Sequence, residues 1–363
     1  MICENCGTAC SQESNVFKRR CVYGFKPDCA EDECRCLNLD NPQQTSGSYD
    51  VLPRYGEIID RRKEVFCPPE PSPAFEAHKY KGNRKFVFVV SNGHTGTTFF
   101  GKGSSWRDAF GDDQMMGGLY ITHETEADKE EVKKIPWSRD YCQKARDYVV
   151  NQKIPHIEKI LDGIEQRDRT GDDQPGTFFG SGHQIALGLI PALIDVLGDS
   201  AKFVRLRRNK MDVAYSYAQK NGGPCTHRCI FCLCPLDAAA RMPLPGGLWE
   251  DLSIYQRYLW FVDELEGQWQ SVLRRSPKIK YIEMDWDKVI EPEEFARLAD
   301  FTGMAGVKHR PVEVKKANEH LNSKTKSAKN YTWMEEQVTD YTAKLNLKSC
   351  TKYHCLDDIN AAS

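Results

Sequence analysis

The chain has 363 residues and a mass of 41.5 kDa, and its 50 Lys and Arg residues against 52 Asp and Glu residues leave a net charge of −2. A hydrophobic fraction of 40% and a charged fraction of 28% exclude disordered and fibrous proteins. The near-neutral charge argues against a nucleic-acid partner, and no apolar run is long enough to span a membrane. The length fits one large α/β domain with an appendage, or two modest domains.

Residues 1–80 read as an irregular, Cys-rich extension that closes on the proline-rich stretch 68–73. It has too few apolar residues to fold alone, so we expect cross-links or docking on the rest of the chain to hold it. We predict a main domain over 81–345 and a C-terminal tail over 346–363.

Cysteine is the unusual residue, with 15 in the chain and eight of them in the first 67 positions. Four more lie between 225 and 234. Such clusters indicate disulfides or thiolate-bound zinc. We expect disulfides joining the extension to the 225–234 cluster, with zinc at Cys229 and Cys232 as the alternative. Because the number is odd, at least one thiol stays free or pairs between chains, and Cys142 is the simplest candidate.

The cysteine usage predicts a secretory or Golgi-lumen location. The first residues lack the basic flank and apolar stretch of a signal peptide, which favours the cytoplasm instead. The sequon Asn330-Tyr-Thr332 is compatible with the lumen.

From residue 85 onward, strand patterns alternate with helix patterns. The β-branched and aromatic run Phe86–Val90 is typical of a strand buried on both faces. Alternation of this kind predicts an α/β fold in which helices flank a central parallel sheet. The other predicted strands are 177–179, 202–207 and 280–283, and the predicted helices are 185–197, 212–219, a single long helix over 248–273, and 293–301.

The first strand runs into a turn rich in glycine and threonine, Ser91-Asn-Gly-His-Thr-Gly-Thr-Thr98, and then into a helix predicted to start at Phe99. Backbone N–H groups at such a helix start point at a bound anion. The glycines permit the tight turn and the threonine hydroxyls add donors. These residues are Gly93, Gly96, Thr95, Thr97 and Thr98.

Two known phosphate-binding patterns compete for this stretch. Gly96–Lys102 fits most of the Walker A spacing, but Gly103 stands where a Mg²⁺-binding Ser or Thr is required. Its first glycine also lies too far beyond the strand. An ATP-dependent kinase is therefore disfavoured.

The better match comes from two segments in the right order, each after a predicted strand. His94-Thr-Gly-Thr-Thr-Phe99 resembles the 5′-phosphosulfate loop of sulfotransferases that use 3′-phosphoadenosine 5′-phosphosulfate (PAPS). Arg208-Asn-Lys-Met-Asp-Val-Ala-Tyr-Ser216 resembles the segment in which those enzymes hold the 3′-phosphate. The resemblance covers about residues 84–325, is closer to the carbohydrate-sulfating type, and implies a P-loop-like three-layer α/β fold with PAPS as co-substrate and no required metal.

The resemblance also implies roles for single residues. Arg208 and Ser216 hold the 3′-phosphate, although a solvated basic edge of Arg205, Arg207 and Arg208 is the alternative. Phe99 stacks on adenine or lies in the core. Lys324 and Lys326 close over the nucleotide or form an exposed run. The implied nucleotide-binding residues are His94, Thr95, Gly96, Thr97, Thr98, Phe99, Arg208, Ser216, Lys324 and Lys326.

Sulfonyl transfer needs a base for the acceptor and charge stabilisation for the leaving phosphate. Glu124 is the first candidate base and His123 the second, and an exposed acidic loop is the alternative reading of this segment. His94 stands where the resembled loops have Lys or Arg, so it donates to the same oxygens or acts as general acid. His183 lines the acceptor site or caps a helix.

These observations predict a sulfotransferase that acts on a hydroxyl or amine of a carbohydrate or glycoconjugate. A small hydroxylated metabolite is the alternative acceptor. A catalytically weak protein that binds nucleotide or glycan on the same fold is the alternative to an enzyme.

Overall fold

The structure is a computed structural model. The residues it describes are 79–95, 119–122, 141–165, 177–184, 189–221, 246–288, 291–303, 331–347 and 350–355, four two-residue strands before residue 40, and positions 67, 224, 232–233, 235, 240–242 and 244. The chain divides into two compact units, each built from separate stretches of sequence. The sheet unit comprises Val65–Asn209 and Trp269–Thr332, and the helical unit comprises Met1–Glu64, Lys210–Gln268 and Trp333–Ser363.

The described residues of the predicted Cys-rich extension before residue 40 form four short strands in two antiparallel pairs. β1 (Ile2–Cys3) pairs with β4 (Cys36–Leu37), and β2 (Cys10–Ser11) pairs with β3 (Arg20–Cys21). Cysteines lie opposite each other in both pairs.

The sheet unit is built on five strands that all pair in parallel, in the order β6-β7-β5-β8-β9. This central parallel sheet, flanked by helices, confirms the predicted α/β class. The strands are β5 (Lys85–Ser91), β6 (Leu119–Thr122), β7 (Thr177–Gln184), β8 (Ala201–Arg207) and β9 (Tyr281–Asp285).

β5 lies in the middle of the sheet, and every residue from Phe86 to Ser91 is buried. Its aromatic rings pack against the neighbouring strand β8, where the ring centroids of Phe88 and Phe203 are 5.7 Å apart. After β5, the chain adds β6 and β7 on one side of that strand and then β8 and β9 on the other side. The order in which strands are added therefore reverses beside β5. In open parallel sheets, ligands bind outside the carboxyl ends of the strands at such a reversal.

The helices follow the predicted alternation, with several additions. Sequence reasoning had no prediction for the helices between residues 141 and 165 or for the last helix. A π-helix, Val149–Lys153, joins the first two, and a 3₁₀ turn, Gly198–Ser200, precedes β8. The α-helices are α1 (Tyr141–Tyr148), α2 (Ile154–Glu165), α3 (Leu189–Leu197), α4 (Lys210–Asn221), α5 (Gly246–Asp251), α6 (Ile254–Arg275), α7 (Pro292–Thr302) and α8 (Tyr331–Lys344).

The predicted single helix over 248–273 is wrong, because α5 ends before Ser253 and α6 begins after it. Ser253 and Gln256 form a capping box: the Ser253 N–H donates to Gln256 Oε1 at 3.0 Å, and the Gln256 N–H donates to Ser253 Oγ at 3.3 Å. The apolar stripe continues across the break, so periodicity alone joins the two helices.

β7 is longer than predicted, and α3 is shorter. Pairing with β5 continues through Gly180 and Gly182 to Gln184, with a register shift that places Val90 opposite His183. A bulge of this kind accommodates the two glycines, which the predicted strand 177–179 left out. α3 then starts at Leu189 instead of residue 185.

The expectation that Cys142 is free is wrong, because a disulfide joins it to Cys67. Arg275, at the end of α6, donates to the carbonyl of Cys67 and also to both carboxylate oxygens of Asp195 at 2.5 Å. Arg146 on α1 donates to the same carboxylate at 2.9 Å. The disulfide and the shared carboxylate tie residue 67, α1, α3 and the end of α6 together.

In the helical unit, the segment 350–355 packs on the start of α4. A disulfide joins Cys350 to Cys355, and the Lys210 N–H donates to the carbonyl of Lys352 at 3.0 Å. Asp263 is fully buried and accepts from the Cys355 N–H at 2.7 Å and from the Tyr341 hydroxyl at 2.9 Å. Burial raises the pKa of Asp263 and lowers the pKa of Lys210, which faces it.

Within the described ranges, no helix has both the length and the apolar character that a membrane span requires.

Candidate functional site

The candidate site lies at the carboxyl ends of β5 and β8. These strands are neighbours, with Ser91 opposite Leu206 in the register. The turn that follows β5 and the Arg208 segment that follows β8 therefore emerge at the same edge of the sheet. The two motifs, which stand more than a hundred residues apart in sequence, meet here.

A direct hydrogen bond joins the two motifs. Arg208 Nη1 donates to the backbone carbonyl of His94 at 3.0 Å. A guanidinium carries five N–H donors in a fixed fork, so it holds the carbonyl and has further donors for other acceptors. The turn and the arginine thus form one structural group.

The turn has an unusual backbone. Gly93 and His94 both have positive φ, at 76° and 49°. This conformation suits Gly93, but for His94 it costs about 1 kcal/mol because a Cβ crowds the carbonyl in the left-handed region. The Gly93 N–H donates to Ser91 Oγ at 3.0 Å, and Arg208 holds the His94 carbonyl, so both ends of the strained pair are fixed. Strain of this kind clusters at ligand-binding turns.

Thr95 carries the donor that fits an anion at this turn. The residue is 1% exposed, and its Oγ1 has no hydrogen-bond partner among the described residues. A buried hydroxyl that lacks a partner costs about 1–3 kcal/mol. A sulfonate or phosphate oxygen would satisfy it, so the residues present fit the anionic group that the resemblance implies.

The arginines at the end of β8 do not form a solvated basic edge, and that alternative is wrong. Arg205 is 1% exposed and donates to Asn92 Oδ1 at 2.8 Å. Arg207 forms a 2.8 Å salt bridge with Glu283 on β9. Each arginine has its own partner, and two of the three contact the turn after β5.

Sequence reasoning missed Asn92 and gave Arg205 no role of its own. Asn92 is buried beside the guanidinium of Arg205, which lies 5.7 Å from the ring centroid of Trp269. The available signals were a polar residue directly after a buried strand and an arginine between Val204 and Leu206 in an apolar strand.

Two predicted residues directly follow a described strand, and a third lies near the end of another. His123 and Glu124 come directly after Thr122, the last residue of β6. His183 is the second-to-last residue of β7. Because the sheet is parallel, the ends of β6 and β7 lie at the same edge as the turn after β5. The predicted residues that lie outside the described part of the chain are Gly96, Thr97, Thr98, Phe99, His123, Glu124, Lys324 and Lys326.

Ser216 lies on α4, in the helical unit, and is half-buried. The helix starts at Lys210, two residues before the predicted start at 212. The role of Ser216 at the 3′-phosphate stays a prediction.

The Gln256, Trp260 and Glu264 face of α6 has structural partners. Trp260 Nε1 donates to the carbonyl of Met242 at 2.9 Å, and the Glu264 carboxylate accepts the backbone N–H groups of Arg241 and Met242 at 2.7 and 2.8 Å. Burial raises the pKa of Glu264 against these hydrogen bonds. Trp260 and Glu264 therefore hold the 241–242 segment, whereas the Gln256 side chain donates to the carbonyl of Gln337 at 3.1 Å and to Asp340 at 2.7 Å.

No group of three His, Cys, Asp or Glu side chains in the described part of the chain is arranged to hold a metal ion. Cys232 is disulfide-bonded and buried. The other cysteines of the 225–234 cluster lie outside the described residues, so their pairing stays a prediction.

Solved structures similar to this chain include three sulfotransferases. The enzyme from Alicyclobacillus acidocaldarius is 14% identical, with a TM-score of 0.35 over 74% of this chain and 98% of that one. The sulfotransferase domain of the Synechococcus PCC 7002 olefin synthase is 14% identical and that of the curacin biosynthetic pathway 11%, each with a TM-score of 0.33 over 73% of this chain and 98% of the other. No protein-family model and no curated protein matches the sequence.

Proposed function

We propose that this protein is a sulfotransferase that moves the sulfonate group of PAPS to an acceptor hydroxyl or amine. The observation that carries the proposal is the hydrogen bond from Arg208 to the His94 carbonyl. Each motif alone is short and weak evidence. A contact between them is what a common nucleotide site requires, and neither motif predicts that contact by itself.

The described residues supply the anion-binding part of this site. The turn 92–95 follows the central strand at the position that open parallel sheets use for ligands. Thr95 has a buried hydroxyl without a partner among the described residues, and the guanidinium of Arg208, which carries five N–H donors, lies at the same turn. These features support binding of the phosphosulfate end and of the 3′-phosphate.

The reaction is an in-line displacement at sulfur. The acceptor oxygen forms a new bond to sulfur, its proton passes to the base, and the bond between sulfur and the bridging oxygen breaks so that the phosphate leaves. We assign the base to Glu124, with His123 second, because both follow β6 at the functional edge of the sheet. With neighbouring strands about 4.8 Å apart, the end of β6 lies about 10 Å from that of β5, which leaves room for an acceptor between them.

His94 is assigned to the leaving group. Its backbone is held at the turn, and a protonated imidazole donates to a phosphate oxygen. His183, at the end of the strand next to β5, is assigned to the acceptor.

We propose a carbohydrate or glycoconjugate acceptor in the secretory pathway. The support is cysteine usage together with the disulfides Cys67–Cys142 and Cys350–Cys355. A small hydroxylated metabolite is the alternative acceptor.

The deciding experiment is calorimetric titration with adenosine 3′,5′-bisphosphate, the product nucleotide, which needs no knowledge of the acceptor. We expect the full chain to bind it, and Arg208→Ala to weaken binding at least about tenfold because charge-assisted hydrogen bonds are lost. Arg207→Ala is the matched control, since Arg207 is adjacent but pairs with Glu283. 5′-AMP, which lacks the 3′-phosphate, should bind weakly. Binding of ATP with Mg²⁺ in place of the bisphosphate would refute the proposal and favour a kinase.

A further inference from the structure

Asn92 is the first residue after β5, and its side chain contacts a buried arginine of the neighbouring strand. Arg205 Nη2 donates to Asn92 Oδ1 at 2.8 Å, and the two residues are 1% and 7% exposed. The Arg205 guanidinium also lies 5.7 Å from the ring centroid of Trp269, which is fully buried. The Asn92 side chain and the Trp269 ring therefore fix the position of the Arg205 guanidinium.

This contact lies at the point where the chain leaves β5. Asn92 precedes the two left-handed residues Gly93 and His94, so its position sets the direction of the turn. A charge-assisted hydrogen bond in a buried place is stronger than an exposed one, and arginine keeps its charge throughout the pH range in which proteins fold. At the other end of the turn, Arg208 holds the His94 carbonyl. Arg205 on β8 and Arg208 directly after β8 thus contact Asn92 and His94 in the turn that follows β5.

We propose that Asn92 and Arg205 form a brace that sets the turn 92–95 before an anion binds, with Arg205 as a positioning residue. The identity of the anion rests on the proposed function, whereas the brace is a property of the free protein. Donors that are aimed in advance do not have to be ordered when the ligand arrives, so a set turn binds an anion more tightly than a mobile one.

The test uses paired variants of the full chain. Asn92→Leu removes the acceptor oxygen at nearly constant volume, and Asn92→Asp keeps it. Arg205→Met removes the donor. Arg207→Met is the matched control, because it removes an arginine two residues along the same strand whose partner is Glu283. If Arg205→Met fails to fold, the two Asn92 variants still decide the question.

The first readout is amide hydrogen exchange across residues 91–95 without ligand, with the Gly93 N–H as an internal reporter because it bonds to Ser91 Oγ. We expect Asn92→Leu and Arg205→Met to speed exchange there about tenfold, and Asn92→Asp to restore protection. Arg207→Met should leave this segment unchanged. Unchanged exchange in Asn92→Leu, equal acceleration in Arg207→Met, or no rescue by Asn92→Asp would overturn the brace.

The second readout is the affinity for adenosine 3′,5′-bisphosphate, which should fall about tenfold in Asn92→Leu and stay unchanged in Arg207→Met. An unchanged affinity in Asn92→Leu would overturn the proposal that the brace strengthens ligand binding. If the wild-type chain binds no bisphosphate, the proposed function fails, and the exchange measurement alone decides whether the brace exists.

Discussion

His94 occupies a backbone conformation that costs it stability and a position where the resembled loops carry Lys or Arg. Its φ of 49° lies in the left-handed region, and its carbonyl accepts from Arg208. Such a conformation persists when the surrounding structure determines the backbone. The sequence shows the departure from Lys or Arg, but only the fold shows the backbone strain.

This strain predicts an inverted order of stability at position 94. We expect His94→Gly to be more stable than His94→Ala by about 1 kcal/mol, because glycine adopts positive φ without a Cβ clash. Urea unfolding of both variants measures the difference. The reverse order, which holds at ordinary positions, would show that the turn relaxes to negative φ.

Tyr258 is the second residue whose environment gives a clear prediction. It is fully buried, and its hydroxyl has no hydrogen-bond partner among the described residues. Burial raises the pKa of Tyr258 above the ordinary value near 10. The folded protein therefore keeps the proton at a pH where the unfolded chain loses it, so the stability that protonated Tyr258 contributes is present below about pH 10 and is lost as pH rises further.

We expect Tyr258→Phe to raise the free energy of unfolding by about 1 kcal/mol at neutral pH, because it removes a buried group that lacks a partner. Above pH 10, the advantage of the variant should grow by about 1.4 kcal/mol per pH unit. Denaturant unfolding at pH 7, 9 and 11 measures both effects. A constant difference across this range would mean that Tyr258 ionises in the folded protein.

At the scale of elements, the arginines at the end of β8 form hydrogen bonds and a salt bridge with several neighbouring elements. Arg205 contacts the turn after β5, Arg207 pairs with Glu283 on β9, and Arg208 returns to the turn after β5. The Trp286 N–H also donates to the Arg207 carbonyl at 2.7 Å. The sequence shows three arginines in four positions, and their partners follow only from which strands lie on either side.

Asp195 on α3 makes a similar connection between helices. It pairs with Arg146 and Arg275, which are 3% and 1% exposed, whereas Asp199 pairs with Lys280 in solvent. We expect Asp195→Asn to lower the free energy of unfolding by about 3 kcal/mol, because two buried guanidinium groups lose their carboxylate. Asp199→Asn, the control four residues away, should have no measurable effect. Equal effects in thermal unfolding of the two variants would contradict the role of this cluster.

At the scale of the whole molecule, both units are discontinuous in sequence. The sheet unit includes Cys67 through its disulfide to Cys142, and the helical unit includes the 350–355 segment through Cys355 and Asp263. The boundaries 81 and 345, predicted from composition, would separate these residues from their partners.

A comparison of two fragments tests those boundaries. We expect residues 81–345 to be less stable than residues 65–355 by about 4 kcal/mol or more, because the Cys67–Cys142 bond closes a loop of 75 residues. Denaturant unfolding gives the free energies, and a thiol assay should find a new free cysteine at Cys142 in the shorter fragment. Equal stability of the two fragments would support the 81–345 boundaries.

Local pattern alone determined the strongly periodic parts of this protein. The buried strand at Phe86–Val90, the strand that ends at Arg207, the alternation of strands with helices and the glycine-threonine turn are all visible in sequence, because burial on both faces and tight turns restrict residue type locally. The break before α6 was not predicted, because the apolar stripe continues across the capping box that Ser253 and Gln256 form.

The tertiary structure decided which distant residues meet. Arg208 reaches the carbonyl of His94, Arg205 reaches Asn92, and Cys142 finds Cys67. These partners depend on strand order and on the packing of elements far apart in the chain, and neither leaves a mark in the residues beside them. For that reason the sequence predicts a phosphate-binding turn and a phosphate-binding arginine separately, and the parallel sheet brings Arg208 into contact with the turn.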